Sequence, residues 1–182
     1  MSGRNPSKTY LHPFANPLRA SNTASIVRVR LSCIAGKSME PWREKAAEVF
    51  PELSSRWDDN DSPYAMWLEL RLAFEEAYDK TPPDESLITR IYRYSDWCCD
   101  QPRRQTADED LVTCVAVSFY EHIPQHPRAR QDMPRWWQAE DLDDGPDGKP
   151  RNIFRYHLTE EEFEELRRFL DREKDRYDPN LW

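Results

Sequence analysis

The run LVTCVAVSFYEHI, Leu111 to Ile123, constrains this chain more than any other stretch, because a helix drawn through it has almost no polar face. A helix that is apolar nearly all round has to be covered on most of its sides. Thr106 and Glu109 stand ahead of it in the T-x-x-E spacing of a capping box, which satisfies two otherwise unpaired N–H groups at a helix start. The spacing predicts a helix over 107–123, central in the core and packed on at least two neighbours, with Val115 and Phe119 buried.

Other segments supply those neighbours. Pro41 suits the first turn of a helix carrying Trp42, Ala46, Val49 and Phe50, and Pro51 interrupts it. Ser62 followed by Pro63 opens a second helix, with Tyr64, Trp67, Leu68, Phe74 and Tyr78 broadly along one face. Asp84 opens a third, whose inner side reads Leu87, Ile88, Ile91, Tyr92, Ser95 and Cys98. Near the end, Thr159 and Glu162 form a second capping box, Leu158 and Phe163 a hydrophobic staple, and Phe163, Leu166, Phe169 and Leu170 a buried stripe. The sum is an all-α domain over 39–182, a bundle of five or six helices or a short helical-repeat-like stack. A minor β pair between the alternating Ile26 to Ile34 stretch and NIFRYHL, before the last helix, is the rival reading of those two segments.

The stretch VSFYEHIPQH places Glu121, His122 and His126 within six residues. Four-residue spacing can set two imidazoles on one helix face for zinc, but Pro124 stands between them and deprives the preceding turn of a hydrogen bond. The sequence therefore predicts a helix end near Ile123, with His122 against the last carbonyls, and no metal site. Third ligands such as His157 or Asp132 have no recognisable spacing. DLDDGPDGK, Asp141 to Lys149, lacks the third-position acid of a calcium loop and has Phe154 where the bidentate Glu belongs. Four glycines leave no phosphate-cradling loop. Helical acids Glu69, Glu75, Glu76 and Glu121 read as a solvated face, and no catalytic residue, metal or cofactor is expected.

Cys33, Cys98, Cys99 and Cys114 form no C-x-x-C pair, so free thiols in the cytoplasm are expected, with Cys98 and Cys114 on apolar helix faces. Charge is uneven. Residues 1–38 hold six basic groups and no acid, which leaves 20 basic and all 34 acidic groups in the other 144 residues, a net of −14. That field repels nucleic acid and anionic membranes and favours a basic protein partner. Residues 1–38, rich in Ser, Asn, Pro and Arg, read as a basic, disordered extension lying upstream of an effective start at Met39.

MPRWWQAEDL sets Trp136 and Trp137 side by side, about 100° apart on a helix, so both cannot be fully buried in one short amphipathic turn. With Arg135 ahead of them, they make the first candidate for a contact surface, against the equal alternative of a lid tucked over the core.

Phe50-Pro51-Glu52-Leu53, followed by a central helix with Val117, Ser118 and Glu121, resembles a family of small, acidic, mainly helical bacterial proteins of unknown function. The resemblance covers about residues 42–124 and implies a helical domain in a bacterial cytoplasm, without catalytic residues. Two function classes follow from the sequence: a non-enzymatic module that binds a basic protein, as immunity-type toxin inhibitors do, or a metal-dependent hydrolase using helix-borne acids and His122.

Overall fold

The computed structural model describes residues 40–58, 61–142 and 153–177. Helix α1, Pro41–Val49, starts on a proline at its first position and ends where Phe50 turns inward. Pro51 then opens a 3-10 turn, Pro51–Arg56, because its ring fixes φ and withholds an N–H that a continuing α-helix would need. Phe50 and Leu53 are buried, while Glu52 reaches Arg90 at 2.5 Å. The same Arg90 donates to the Val49 carbonyl at 2.7 Å, satisfying an end of α1 from across the fold.

Helix α2, Pro63–Asp79, begins at Ser62, whose hydroxyl accepts from the Ala65 N–H. Helix α3, Glu85–Cys99, begins at Asp84, whose carboxylate accepts from the Leu87 N–H. All six inner-side residues expected for α3 are buried, and Tyr94 joins them. The predicted face of α2 holds for Trp67, Phe74 and Tyr78, but Leu68 is half-buried and Tyr64 is exposed. Tyr64 sits in the first turn, on the side turned away from the buried Pro63 and Met66.

The central helix is shorter than its apolar run suggests. α4 spans Leu111–Ser118, and Phe119 leaves the helix with φ −126° and ψ −65°. Tyr120–Gln125 continue as a 3-10 helix containing Pro124. The expected 107–123 helix is thus corrected at both ends. At the start, Thr106 and Glu109 form a turn, with Thr106 accepting from the Asp110 N–H at 3.1 Å, and the cap is Asp110 instead. The central position is correct: α4 packs on α2 and α3, and Cys114, Val115 and Phe119 are wholly buried.

Helix α5, Pro127–Asp132, is followed by 3-10 turns at Met133–Arg135, Ala139–Leu142 and Ile153–Tyr156. The last of these occupies the NIFRYHL segment, so that half of the minor β pair is helical, and no strand occurs among the described residues. The Ile26 to Ile34 half lies outside the described residues, as does the whole 1–38 extension. Helix α6, Glu160–Glu173, carries the predicted capping box, with Thr159 and Glu162 each accepting from the other's N–H. Phe163, Leu166 and Leu170 are buried and Phe169 partly so.

Among the described residues the fold is therefore all-α, six packed helices with 3-10 turns in several of the connections, around one aromatic core. Trp67 stacks on Phe119 and on Tyr94, both with centroids 5.4 Å apart, and Phe74 meets Phe119 edge-on at 4.8 Å. Such contacts add to what burial of the rings alone provides. Cys98 and Cys114 are buried free thiols, Cys99 is half-buried, and burial pushes the Cys114 thiol up to about 11. No described helix is long and apolar enough to cross a membrane.

Candidate functional site

The C-terminal half of α2, the 3-10 helix at Tyr120–Gln125 and α5 meet on one side of the bundle, and the polar groups that chemistry would need gather there. Two clusters result.

The first surrounds Asp132, at the end of α5. Its carboxylate accepts from the Tyr78 hydroxyl at 2.8 Å and from the Trp136 indole N–H at 3.1 Å, and the Arg135 guanidinium lies 3.8 Å away. Burial pushes Asp132 above the usual carboxylate range, and those hydrogen bonds and Arg135 pull it back only in part. Arg135 also pairs with Glu85 of α3 and sits 4.8 Å over the Trp136 ring. Arg128 donates to the Tyr78 carbonyl at 2.7 Å and the Lys80 carbonyl at 3.0 Å, placing a cation at the negative end of α2. These contacts tie α2, α3 and α5 into one rigid corner.

The predicted contact residues resolve differently within this corner. Trp137 is only 6% exposed and meets Tyr120 and Phe154 edge-on, so it belongs to the core. Trp136 is half-buried, flat against Tyr92, and the Arg135 side chain is 12% exposed. One indole is swallowed and the other forms a lid with Arg135 at its edge.

The second cluster holds three imidazoles. The His122 ring faces the Val117 carbonyl, close to the last-carbonyl position expected from sequence, and it stacks on His157 with centroids 4.6 Å apart. His157 in turn reaches the buried Glu121 at 3.2 Å. Burial lowers the His122 pKa, as do the nearby Arg71 and His157 charges, so this ring is neutral at physiological pH. Burial raises Glu121, against the pull of His157.

His126 has a different job. Its Nδ1 accepts from the Ala129 N–H at 3.3 Å as the N-cap of α5, with Pro127 at the first helical position, and its Nε2 lies 3.3 Å from Asp79. With one ring nitrogen capping a helix and the other facing a carboxylate, His126 is committed to structure. His122 and His126 both border a shallow pit with Arg71 and Glu75 above Phe119, too narrow to admit a water molecule. Among the described residues, no three His, Cys, Asp or Glu side chains are placed to hold a metal ion. The Asp141 to Lys149 loop lies mostly outside the described residues.

Sequence reading missed three of these features. The Asp132 cluster joins residues 54 apart in the chain, and the His122–His157 stack joins two elements whose docking no local pattern encodes. The His126 cap was legible in principle, since a polar residue before proline is a common helix opening.

What the fold and site define is an acidic all-α protein with a rigid aromatic corner. Compared with known protein families, with curated proteins and with solved structures, the chain finds no match.

Proposed function

We propose that this chain is a non-catalytic protein-binding module whose acidic surface engages a basic protein partner, in the manner of an immunity-type inhibitor of a basic toxin. The observation that carries the reading is where the negative charge sits. Among the described residues only Asp110 and Glu121 are buried acids. Residues 39–182 carry a net −14, and apart from those two the acids among the described residues are at least partly solvent-facing and available to a partner. Complementary charge of this kind speeds encounter and rejects like-charged partners. The rigid corner of Tyr78, Asp132, Arg135 and Trp136 supports it by holding helix faces in fixed relation, which lowers the cost of ordering on binding.

The test is affinity purification from cells that make the protein, followed by titration of the recovered partner at two salt concentrations. A basic partner whose affinity falls as salt rises is expected. An acidic partner, or an affinity indifferent to salt, refutes the reading, and stoichiometric zinc, manganese or iron in the purified chain would favour a metal-dependent hydrolase instead.

A further inference from the structure

Helix α2 keeps one side after its core contacts are made. Met66, Leu70, Phe74 and Ala77 are buried, and at 3.6 residues per turn the positions 64, 68 and 72 follow one another along the opposite side. Tyr64 is 40% exposed, Leu72 is 43% exposed, and Leu68 is half-buried between them. Single exposed apolar residues are ordinary on a protein surface; three at successive turns of one helix make a continuous strip. It is about 12 Å long at 1.5 Å per residue.

Acids flank the strip. Glu76 pairs with Arg56 at 2.6 Å, Asp79 lies 3.3 Å from His126, and Glu75 is answered by Arg71 at 3.8 Å. Glu69 lies one turn from Leu72 on the same helix. Four carboxylates thus stand beside three apolar groups, with Arg56, Arg71 and Lys80 as nearby permanent cations, Lys80 itself pairing with Asp84 at 2.8 Å.

We infer that this outward face of α2 is the docking strip for the basic partner, and that it receives a cationic amphipathic helix, its apolar side on Tyr64, Leu68 and Leu72 and its Lys or Arg side chains toward Glu69, Glu75, Glu76 and Asp79. The inference rests on the protein-binding reading above and deepens it by naming the surface and the ligand chemistry. Apolar groups one helical turn apart are the pattern that accepts another helix rather than an extended strand. A second copy of this chain is disfavoured, because it would bring the same four acids against themselves.

The probe is a synthetic helical peptide of about 14 residues, with leucines every third or fourth position and lysines elsewhere, read by fluorescence anisotropy against the full chain. A control peptide carries glutamates in place of the lysines. The lysine peptide binds, the glutamate peptide does not, and affinity drops several-fold between about 50 and about 300 mM salt. Tyr64→Ser with Leu72→Ser weakens binding at least about tenfold, and Glu69→Lys weakens it several-fold. Tyr64 and Leu72 are exposed and Glu69 is half-buried, so the melting temperature of each variant is checked first and binding is compared only between variants that keep the wild-type value. Equal, salt-sensitive binding by the double variant overturns this face while leaving the acidic-module reading standing. Failure of the wild-type chain to bind the lysine peptide overturns the inference outright, and so does a concentration-dependent dimer that the double variant loses.

Discussion

Trp136 lies flat on Tyr92, with ring centroids 4.1 Å apart and planes 18° from parallel, while its indole N–H donates to Asp132 at 3.1 Å. One side chain thus closes a hydrophobic contact with α3 and a polar contact with α5. Its neighbour Trp137 points the other way, into the core beside Phe154.

The two adjacent tryptophans should therefore respond unequally to truncation. Trp137→Ala opens a cavity and is expected to cost about 3 to 5 kcal/mol. Trp136→Ala removes a half-exposed ring, a stack and one hydrogen bond to a carboxylate, for about 1 to 3 kcal/mol. Urea unfolding of both variants measures the difference, and a larger loss at Trp136 would contradict this division between core and lid.

Phe119 tests the centre of the fold. It is wholly buried and contacts Trp67, Phe74, Tyr92 and Tyr120. Phe119→Ala is expected to cost about 3 to 5 kcal/mol, a large part of a domain's net stability. A loss under about 1 kcal/mol by denaturant titration would show that the ring cluster is not the core.

The legible parts of this fold are those where a single local rule decides the outcome. The inner side of α3 follows from a 3.6-residue period behind the Asp84 cap, and α6 from its reciprocal box at Thr159 and Glu162. α4 was misjudged because two polar residues competed for its start: Thr106 has the better motif, but Asp110 is the one buried against the helix. Its end was set near Ile123 because Pro124 is the first residue that forbids an α-helix, whereas nothing local marks Phe119, where the chain passes into the 3-10 helix that contains Pro124. The Asp132 corner was out of reach altogether, since pairing Tyr78 with Asp132 depends on how α5 docks on α2.

His122 should leave a mark on the pH dependence of stability. Its folded pKa lies below the ordinary value of about 6.5, so the unfolded chain binds the proton more readily in the window just beneath that value. Stability from this group is full above about pH 7 and is lost as pH falls toward the folded pKa. Glu121 and Asp132, both raised, act in the opposite direction at lower pH, and both remain in a His122→Gln variant. The variant is expected to lose less stability than the wild type between about pH 7 and 5. Parallel curves from thermal melts across that range would mean that the imidazole is as easily protonated in the fold as out of it.

Asp110 is the most heavily used capping group among the described residues. Its side chain is only 3% exposed and accepts from the Thr113 N–H at 3.1 Å, the Thr113 hydroxyl at 2.6 Å and the Arg104 N–H at 3.0 Å, with Arg103 at 2.8 Å. Burial opposes ionisation here, but the hydrogen bonds and the Arg103 charge prevail, and the folded pKa lies below the usual carboxylate value. Losing the cap in Asp110→Ala is expected to cost about 1 to 2 kcal/mol at neutral pH. Asp110→Asn keeps an acceptor oxygen and loses the charge, so its cost should be smaller. Because the folded pKa is depressed, the charge contributes stability above about pH 4 and that contribution disappears as pH falls through the folded value. The gap between wild type and Asp110→Asn, measured by urea unfolding at about pH 7 and again at about pH 3, should therefore narrow in acid. A gap of the same size at both values would assign the whole effect to hydrogen-bond geometry and none to the buried charge.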